Sequence, residues 1–318
     1  MNKSLTFKPY EQGDESHIFE LFQICFNKQL SPEYWTWRYL QNPSDQAMIE
    51  LCWDKDLLVS HYSVSPTKII IDGQEYFAAH GHTGMTHPDY RGRRLSLIIA
   101  NRMFERLSQR GYKAVWGYPN YKNHFGHVHH LKWLDIHEIP MFHLEMSNLR
   151  SFPKVSTNVK TVHQPNSQFD GFWNKVKNDQ KVIISRDQSY LNWRYSKHPV
   201  FRYNFLGYYL DDTLYGYLVY KRYQTEFDIV DILTVQDDDI GESLVASVIE
   251  ICRQENFTGI NMWLPIRVTL HLRLEKIGFL ITEPVTYFGG RLLQPLDDEK
   301  SFDDVRSWYY TMSDSDVY

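Results

Sequence analysis

The chain has 318 residues, more than one hydrophobic core usually serves, so two domains are expected. Its make-up, 42% hydrophobic and 23% charged, is that of a soluble globular protein, and the net charge of −5 argues against a nucleic-acid partner held by counterion release. Aromatic residues reach 15%, enough to furnish cores and also a cleft that stacks on sugars or bases.

The opening residues Met1–Thr6 lack the apolar run of a signal peptide, and no stretch nears the roughly 20 apolar residues that span a bilayer. Cys25, Cys52 and Cys252 show no paired spacing, which suits a reducing compartment. The expectation is a cytoplasmic protein with no membrane partner.

In chain order, the first distinctive segment is Tyr34-Trp35-Thr36-Trp37-Arg38-Tyr39, which reads as a helix end stopped by Pro43. It recurs 156 residues later as Tyr190-Leu191-Asn192-Trp193-Arg194-Tyr195 with Pro199. The same offset relates Pro9 to Pro165, Asp56 to Asp212 and Leu58 to Leu214, and an offset of 146 relates Ala100 to Ala246 and Pro119 to Pro265. The chain therefore reads as an internal duplication.

In the first half β-type stretches run from Ala47 to Tyr62, Val64 to Ile71 and Ala78 to Met85, with a hairpin turn at Asp72-Gly73. A helix over Leu95–Arg110, ended by Gly111, and a strand over Lys113–Tyr118 follow. The second half repeats the plan: strands Tyr203–Tyr209, Leu214–Arg222 and Phe227–Val235, helix Ile240–Glu255 and strand Gly259–Leu264. A polar stretch over Ser147–Thr161 reads as the linker, and residues after Leu296 form an acidic tail whose Trp308, Tyr309 and Tyr310 can pack on the body.

Between the third strand and the long helix lies His87-Pro88-Asp89-Tyr90-Arg91-Gly92-Arg93-Arg94-Leu95-Ser96. A strand, a short turn and a helix start gather unpaired N–H groups and the positive end of the helix dipole, which suits a pyrophosphate. Arg91, Arg93 and Arg94 add full charges that can bind phosphate in bidentate fashion. The matching turn of the second half, Gln236-Asp237-Asp238-Asp239, carries three carboxylates that repel a pyrophosphate. One anion site is expected, in the first half.

This segment resembles the acyl-CoA-binding motif of the GNAT superfamily of N-acyltransferases, Arg/Gln-x-x-Gly-x-Gly/Ala, with Arg94 where the family has its first Gly and Ser96 where it has Gly or Ala. The resemblance implies tandem GNAT-like domains of mixed α/β architecture, each a twisted mixed sheet flanked by helices. Residues 1–146 would bind acyl-CoA, residues 160–295 would form a degenerate copy shaping the acceptor cleft, and 296–318 would be the tail. It implies that Met85, Thr86, Arg91, Gly92, Arg93, Arg94, Leu95 and Ser96 hold the acyl-CoA, helped by Asn120 or Asn123 along the pantetheine arm. The family's Gly-Phe pair after this segment is Lys132-Trp133 here and Gly278-Phe279 in the second half.

Acyl transfer to an amine needs a proton acceptor. Strand alternation places His80 and His82 on one face, and either serves as base or as a sugar-binding donor. The family's leaving-group Tyr falls on Val128, with Tyr121, His127 and His129 nearby. His124, His127, His129 and His130 cluster without a Cys or carboxylate to complete a ligand set, so no metal is expected. Among GNAT proteins the chain is most similar to two-domain bacterial sugar N-acyltransferases of surface-polysaccharide (O-antigen) pathways. That implies an acetyl- or 3-hydroxybutyryl-CoA donor and a dTDP-linked amino-deoxysugar acceptor. The alternatives are an aminoacyl-tRNA-dependent ligase with paired GNAT domains, disfavoured by the negative charge and the missing basic arm, and a non-catalytic acyl-CoA-binding protein.

Overall fold

The computed structural model describes residues 5–46, 48–316 and 318; Met1–Ser4 and the expected strand start at Ala47 lie outside the described residues. The first half contains β1 (Thr6–Pro9), α1 (Glu15–Phe26), α2 (Pro32–Leu40), β2 (Met48–Asp54), β3 (Leu57–Ile71), β4 (Gln74–Thr86), α3 (Leu95–Gln109), β5 (Ala114–Gly117), α4 (Tyr121–Leu131) and β6 (Leu134–Glu145). Then come β7 (Val159–Val162), α5 (Ser167–Val176), β8 (Val182–Ile184), α6 (Gln188–Leu191), β9 (Asn204–Leu210), β10 (Thr213–Tyr223), β11 (Glu226–Thr234), α7 (Asp238–Gln254), β12 (Gly259–Met262), α8 (Thr269–Ile277), β13 (Leu280–Leu292) and β14 (Trp308–Tyr309). Among the described residues no helix is long and apolar enough to cross a membrane.

The expected strand over 47–62 is in fact two. Lys55, at φ 56°, turns the chain between β2 and β3, and the stretch from Leu57 to Ile71 is then one long strand. The turn at Asp72-Gly73 forms as read, with φ of 48° and 78°, the pair of positive values that a two-residue hairpin turn demands.

Two compact units result. The first comprises Met1–Lys68, Tyr76–His137 and Tyr287–Glu299, and the second Ile69–Glu75, Glu138–Thr286 and Lys300–Tyr318. The units are not the contiguous spans 1–146 and 160–295, because each takes its last strand from the other half of the sequence. In the first, β5 pairs antiparallel with Gly289–Leu292 of β13; in the second, β12 pairs antiparallel with Phe142–Glu145 of β6.

In the first unit the strand order is β1-β2-β3-β4-β5-β13, antiparallel except for the parallel β4–β5 pair. α3 covers one face through Ile99, Met103 and Leu107, spaced one turn apart and fully buried, in a cluster with Val59, Tyr62 and Val115. Two ion pairs from Arg102 and Arg106 to the buried Glu50 of β2, each 3.0 Å, fasten the same helix. α1 and α2 pack against Ile49, Leu51 and Met85 through Ile18, Leu21, Trp35 and Tyr39. Ser31 caps α2 by accepting from the Tyr34 N–H at 3.1 Å, with Pro32 at the first helical position.

In the second unit the order is β6-β12-β11-β10-β9-β7, and again one pair, β11–β12, is parallel. Ile69–Ile71 of β3 pair with β8, which also pairs with β14. The residues after 300 are part of this unit's core: Trp308, Tyr309 and Met312 are buried, so the acidic tail ends with Asp303-Asp304 and an apolar closing segment follows. Residues matched by the repeat hold like positions in their own units. Ala100 and Ala246 are both fully buried, in α3 and α7, while Pro119 and Pro265 each follow the short strand after that helix.

Candidate active site

β4 and β5 run in register only from Ala78/Ala114 to His80/Trp116, after which β4 continues to Thr86 without that partner. The buried Trp133 packs where they part. A Cβ added at Gly81 would lie 3.4 Å from its ring, and one at Gly117 3.2 Å. Gly81 and Gly84 both face Tyr62 although they are three positions apart, so regular alternation breaks between them. His80 and His82 precede the break and share a face as expected, with ring centroids 4.3 Å apart. His80 is 6% exposed, stacked on Trp116 at 5.3 Å and edge-on to Tyr118 at 5.9 Å.

Behind the break sits a group that the sequence reading missed. The Thr83 carbonyl accepts from His61 Nδ1 at 3.0 Å and from Ser63 Oγ at 3.4 Å, and Ser63 Oγ is itself 2.7 Å from the Tyr39 hydroxyl. Burial pushes the His61 imidazole down to about 4, so it is neutral near pH 7 with its proton on the nitrogen facing the carbonyl. The signal was present in β3, where His61, Ser63, Ser65 and Thr67 recur every second residue within a strand that is buried almost throughout.

After Thr86 the chain makes a short 3-10 turn over Pro88–Tyr90, anchored by the Tyr90 hydroxyl donating to Asp54 at 2.5 Å. Arg91 donates from Nε to the Thr86 carbonyl at 3.3 Å; Arg93 donates to the Asp89 carbonyl at 3.1 Å and lies over the Tyr90 ring at 4.6 Å. Among the described residues none of Arg91, Arg93 and Arg94 pairs with a carboxylate, and all three are exposed. The Arg91 N–H closes the 3-10 turn on the Pro88 carbonyl at 3.2 Å, and the next N–H groups to find a backbone acceptor are those of Leu97 and Ile98, both on the Arg94 carbonyl at 3.1 Å. Those of Gly92 through Ser96 donate to no protein acceptor among the described residues.

Gly92, at φ 76°, has no atom within 4 Å of where its Cβ would stand, so a ligand can approach its backbone. These residues fit the diphosphate of an acyl-CoA. Leu95 is buried and anchors the helix start instead of lining an open surface, while Ser96 is exposed. The carbonyls of Met85 and Thr86 are already partnered, the first by Ser60 Oγ at 2.9 Å and the second by Arg91 and Cys25.

Of the three places where the chain departs from the family's pattern, two keep a glycine's backbone, Arg94 with φ 58° and Lys132 with φ 57°, against 126° for Gly278, whereas Ser96 lies inside α3. A left-handed non-glycine residue costs roughly 1–2 kcal/mol, and glycine's own entropic penalty returns about half of that. Arg94→Gly is therefore expected to stabilise the protein by about 0.5 kcal/mol in urea unfolding while weakening acyl-CoA binding. A stability loss above about 1 kcal/mol would show that the arginine side chain, and not the bend, is what the fold needs there.

Asn120 caps α4, its side-chain oxygen accepting from the N–H groups of Lys122 and Asn123 at 3.1 and 3.2 Å, so that oxygen is committed to the helix. The Asn123 carboxamide is exposed and has no partner among the described residues. On α4, His124 stacks on Tyr287 at 4.0 Å and bonds Asp135 at 3.0 Å, while His127 bonds the Asn123 carbonyl at 2.8 Å.

The corresponding bend of the second unit is closed. Asp237 caps α7 by accepting from the Asp239 N–H at 2.9 Å, and Arg273 reaches Asp238, Asp239 and Glu242. Its helix start is supplied with carboxylates from within the protein, where the first unit offers open donors.

The fold and this bend define a chain of GNAT architecture, and the family model of the acetyltransferase (GNAT) domain matches residues 6–126. Over nearly its whole length the chain is similar to a probable N-acyltransferase from Enterococcus faecalis V583, at 14% identity and TM-score 0.73, covering 91% of this chain and 73% of that one. It is likewise similar to a GCN5-related N-acetyltransferase from Anabaena variabilis ATCC 29413 (12% identity, TM-score 0.73, 92% and 73% covered) and to one from Kribbella flavida (14%, 0.69, 91% and 71%). No curated protein matches the sequence.

Proposed function

We propose that the chain is an acyl-CoA-dependent N-acyltransferase that moves an acetyl or 3-hydroxybutyryl group to the amino group of a nucleotide-linked, dTDP-type amino-deoxysugar. The observation that carries the reading is the bend from Arg91 to Ser96, with three guanidinium groups that have no carboxylate partner among the described residues beside a run of backbone N–H groups that have no protein acceptor there. Such a bend binds a diphosphate by charge and by the helix dipole together.

The parting of β4 and β5 gives the pantetheine arm a path, and His80 and His82 stand at the point of parting. Either imidazole can take the proton that the amine loses as the carbon–nitrogen bond forms and return it to the CoA sulfur as the carbon–sulfur bond breaks, so that CoA leaves as the thiol. On that side the half-buried Tyr118 is the ring with surface to offer a sugar or base, while Trp116 and Phe288 are buried and support it and His80 from behind. The match to the acetyltransferase (GNAT) domain supports the donor and the reaction class, and the similar solved structures support the fold; the sugar acceptor rests on the resemblance and on the Tyr118 ring.

The test is thiol release from acetyl-CoA against a panel of amines, without tRNA. Release is expected with a nucleotide-linked amino sugar and not with simple alkylamines. Binding of acetyl-CoA with no release on any amine would instead establish a non-catalytic acyl-CoA-binding protein.

A further inference from the structure

His61 is a buried polar group beside the proposed site to which that reaction gives no part. His61 is 2% exposed, and while its Nδ1 bonds Thr83, its Nε2 is buried with no partner among the described residues. A site built only for packing takes an apolar residue at such a position, since a half-satisfied buried imidazole is costly. The bond that is made falls in the irregular part of β4, immediately after His82. Thr83 also receives Ser63, which Tyr39 of α2 holds in turn. Three side chains from two elements thus fix one carbonyl.

A trans peptide carries its N–H opposite its C=O. With the Thr83 oxygen drawn to His61 and Ser63, the Gly84 N–H points away from them, in the stretch where β4 no longer pairs with β5. Resting on the acyl-CoA reading above, we propose that His61 is a positioning residue: by holding the Thr83 carbonyl it aims the Gly84 N–H at the thioester oxygen of the bound donor. A fixed backbone donor at that oxygen stabilises the negative charge that develops as the amine attacks. Nothing covalent passes through His61. Its Nδ1–H stays on the carbonyl throughout, and Ser63 with Tyr39 keeps the same oxygen from turning back.

The test compares His61→Leu with His61→Asn, whose carboxamide N–H can replace Nδ1–H. In His61→Leu, kcat is expected to fall about 10- to 100-fold with the KM for acetyl-CoA changed by no more than about twofold, and His61→Asn to recover most of the loss. A second readout needs no turnover. With the 16 glycines labelled with nitrogen-15, the Gly84 amide signal should shift more on adding acetyl-CoA than on adding CoA, which lacks the carbonyl. Gly84→Ala, whose Cβ would meet only Tyr62 at 3.6 Å, identifies that signal.

That difference should vanish in His61→Leu and persist in His61→Asn. Should His61→Leu fail to fold, Ser63→Ala removes the second donor more gently, with a smaller fall in kcat expected. An unchanged kcat in both His61→Leu and Ser63→Ala, or a Gly84 signal that answers CoA and acetyl-CoA alike, overturns the proposal while leaving the acyltransferase reading intact. A wild-type protein that binds neither CoA nor acetyl-CoA overturns both.

Discussion

Arg186→Met is expected to lose roughly 3–5 kcal/mol of stability, enough to leave the second unit partly unfolded at ordinary temperature. Arg186 is fully buried and donates to Asp231 at 3.2 Å and to both carboxylate oxygens of Asp314 at 3.0 and 2.9 Å. Asp231 is also wholly buried, and accepts from the Tyr217 hydroxyl at 2.8 Å and from Thr311 at 2.9 Å. The cluster ties β11 to the closing segment after β14. Removing the cation leaves two buried carboxylates facing each other, and the cost lies in that uncompensated charge more than in the lost bonds.

The pH dependence has a definite sign. Burial already raises the Asp314 carboxyl above its ordinary value, opposed by Arg186, and without Arg186 it rises further. A carboxyl raised in the folded state binds its proton more tightly there than in the unfolded chain. Stability is then greatest below the unfolded value of about 3.9 and is lost as pH climbs through the raised folded value. The deficit of Arg186→Met in urea unfolding should accordingly be larger at pH 8 than at pH 5, and Asp231→Asn with Asp314→Asn added should recover part of it. A deficit that is equal at both pH values, or larger at pH 5, would mean that the carboxylates are not what the arginine stabilises.

How much of this was legible depended on whether the information was local. The Asp72-Gly73 turn, the helix from Leu95 with its stop at Gly111 and the second half's strand series follow from residues within a few positions of one another, and those readings agree with the elements found. The exchange of β6 and β13 between the units was not legible. Both strands follow their helices as a simple duplication requires, and only the pairing partner, more than a hundred residues away, reveals the swap. The closing segment was legible in part: Asp297, Asp298, Asp303 and Asp304 mark an acidic stretch, and Trp308, Tyr309 and Tyr310 pack on the body as their residue type suggests, but the burial of Met312 and Asp314 beyond them has no local signal.

The departures at Arg94 and Lys132 read as losses of glycine, but φ shows that the bends survive, with a cation added at each. A sequence motif records side chains, whereas the requirement at both places is on the backbone. His61 escaped notice because a histidine inside a strand is more often a satisfied core residue. Its two-residue spacing with Ser63 was the available clue, and only the hydrogen bonds to Thr83 give it meaning.

Replacing Arg91 and Arg93 together by alanine is expected to raise the KM for acetyl-CoA by roughly 100-fold, since each charge-assisted bond to a phosphate contributes about 1.5–3 kcal/mol and exposure tempers the sum. The effect should fall on binding. Neither side chain approaches the histidine pair among the described contacts; Arg91 bonds the Thr86 carbonyl beside the Cys25 thiol, Arg93 bonds the Asp89 carbonyl and covers the Tyr90 ring, and both lie at the surface, so kcat and the thermal midpoint should change little. The salt response gives a second signature. Charge attraction at an exposed site is screened over about 10 Å at 0.1 M salt, so the wild-type KM should climb with ionic strength and that of the double variant should stay nearly flat. Arg91→Lys with Arg93→Lys keeps both charges but loses the planar fork, and an intermediate KM with the wild-type salt slope is expected. Steady-state kinetics from low to about 0.5 M salt decide the matter. A double alanine variant with unchanged kcat/KM for acetyl-CoA and unchanged affinity for CoA would place the diphosphate somewhere other than this bend.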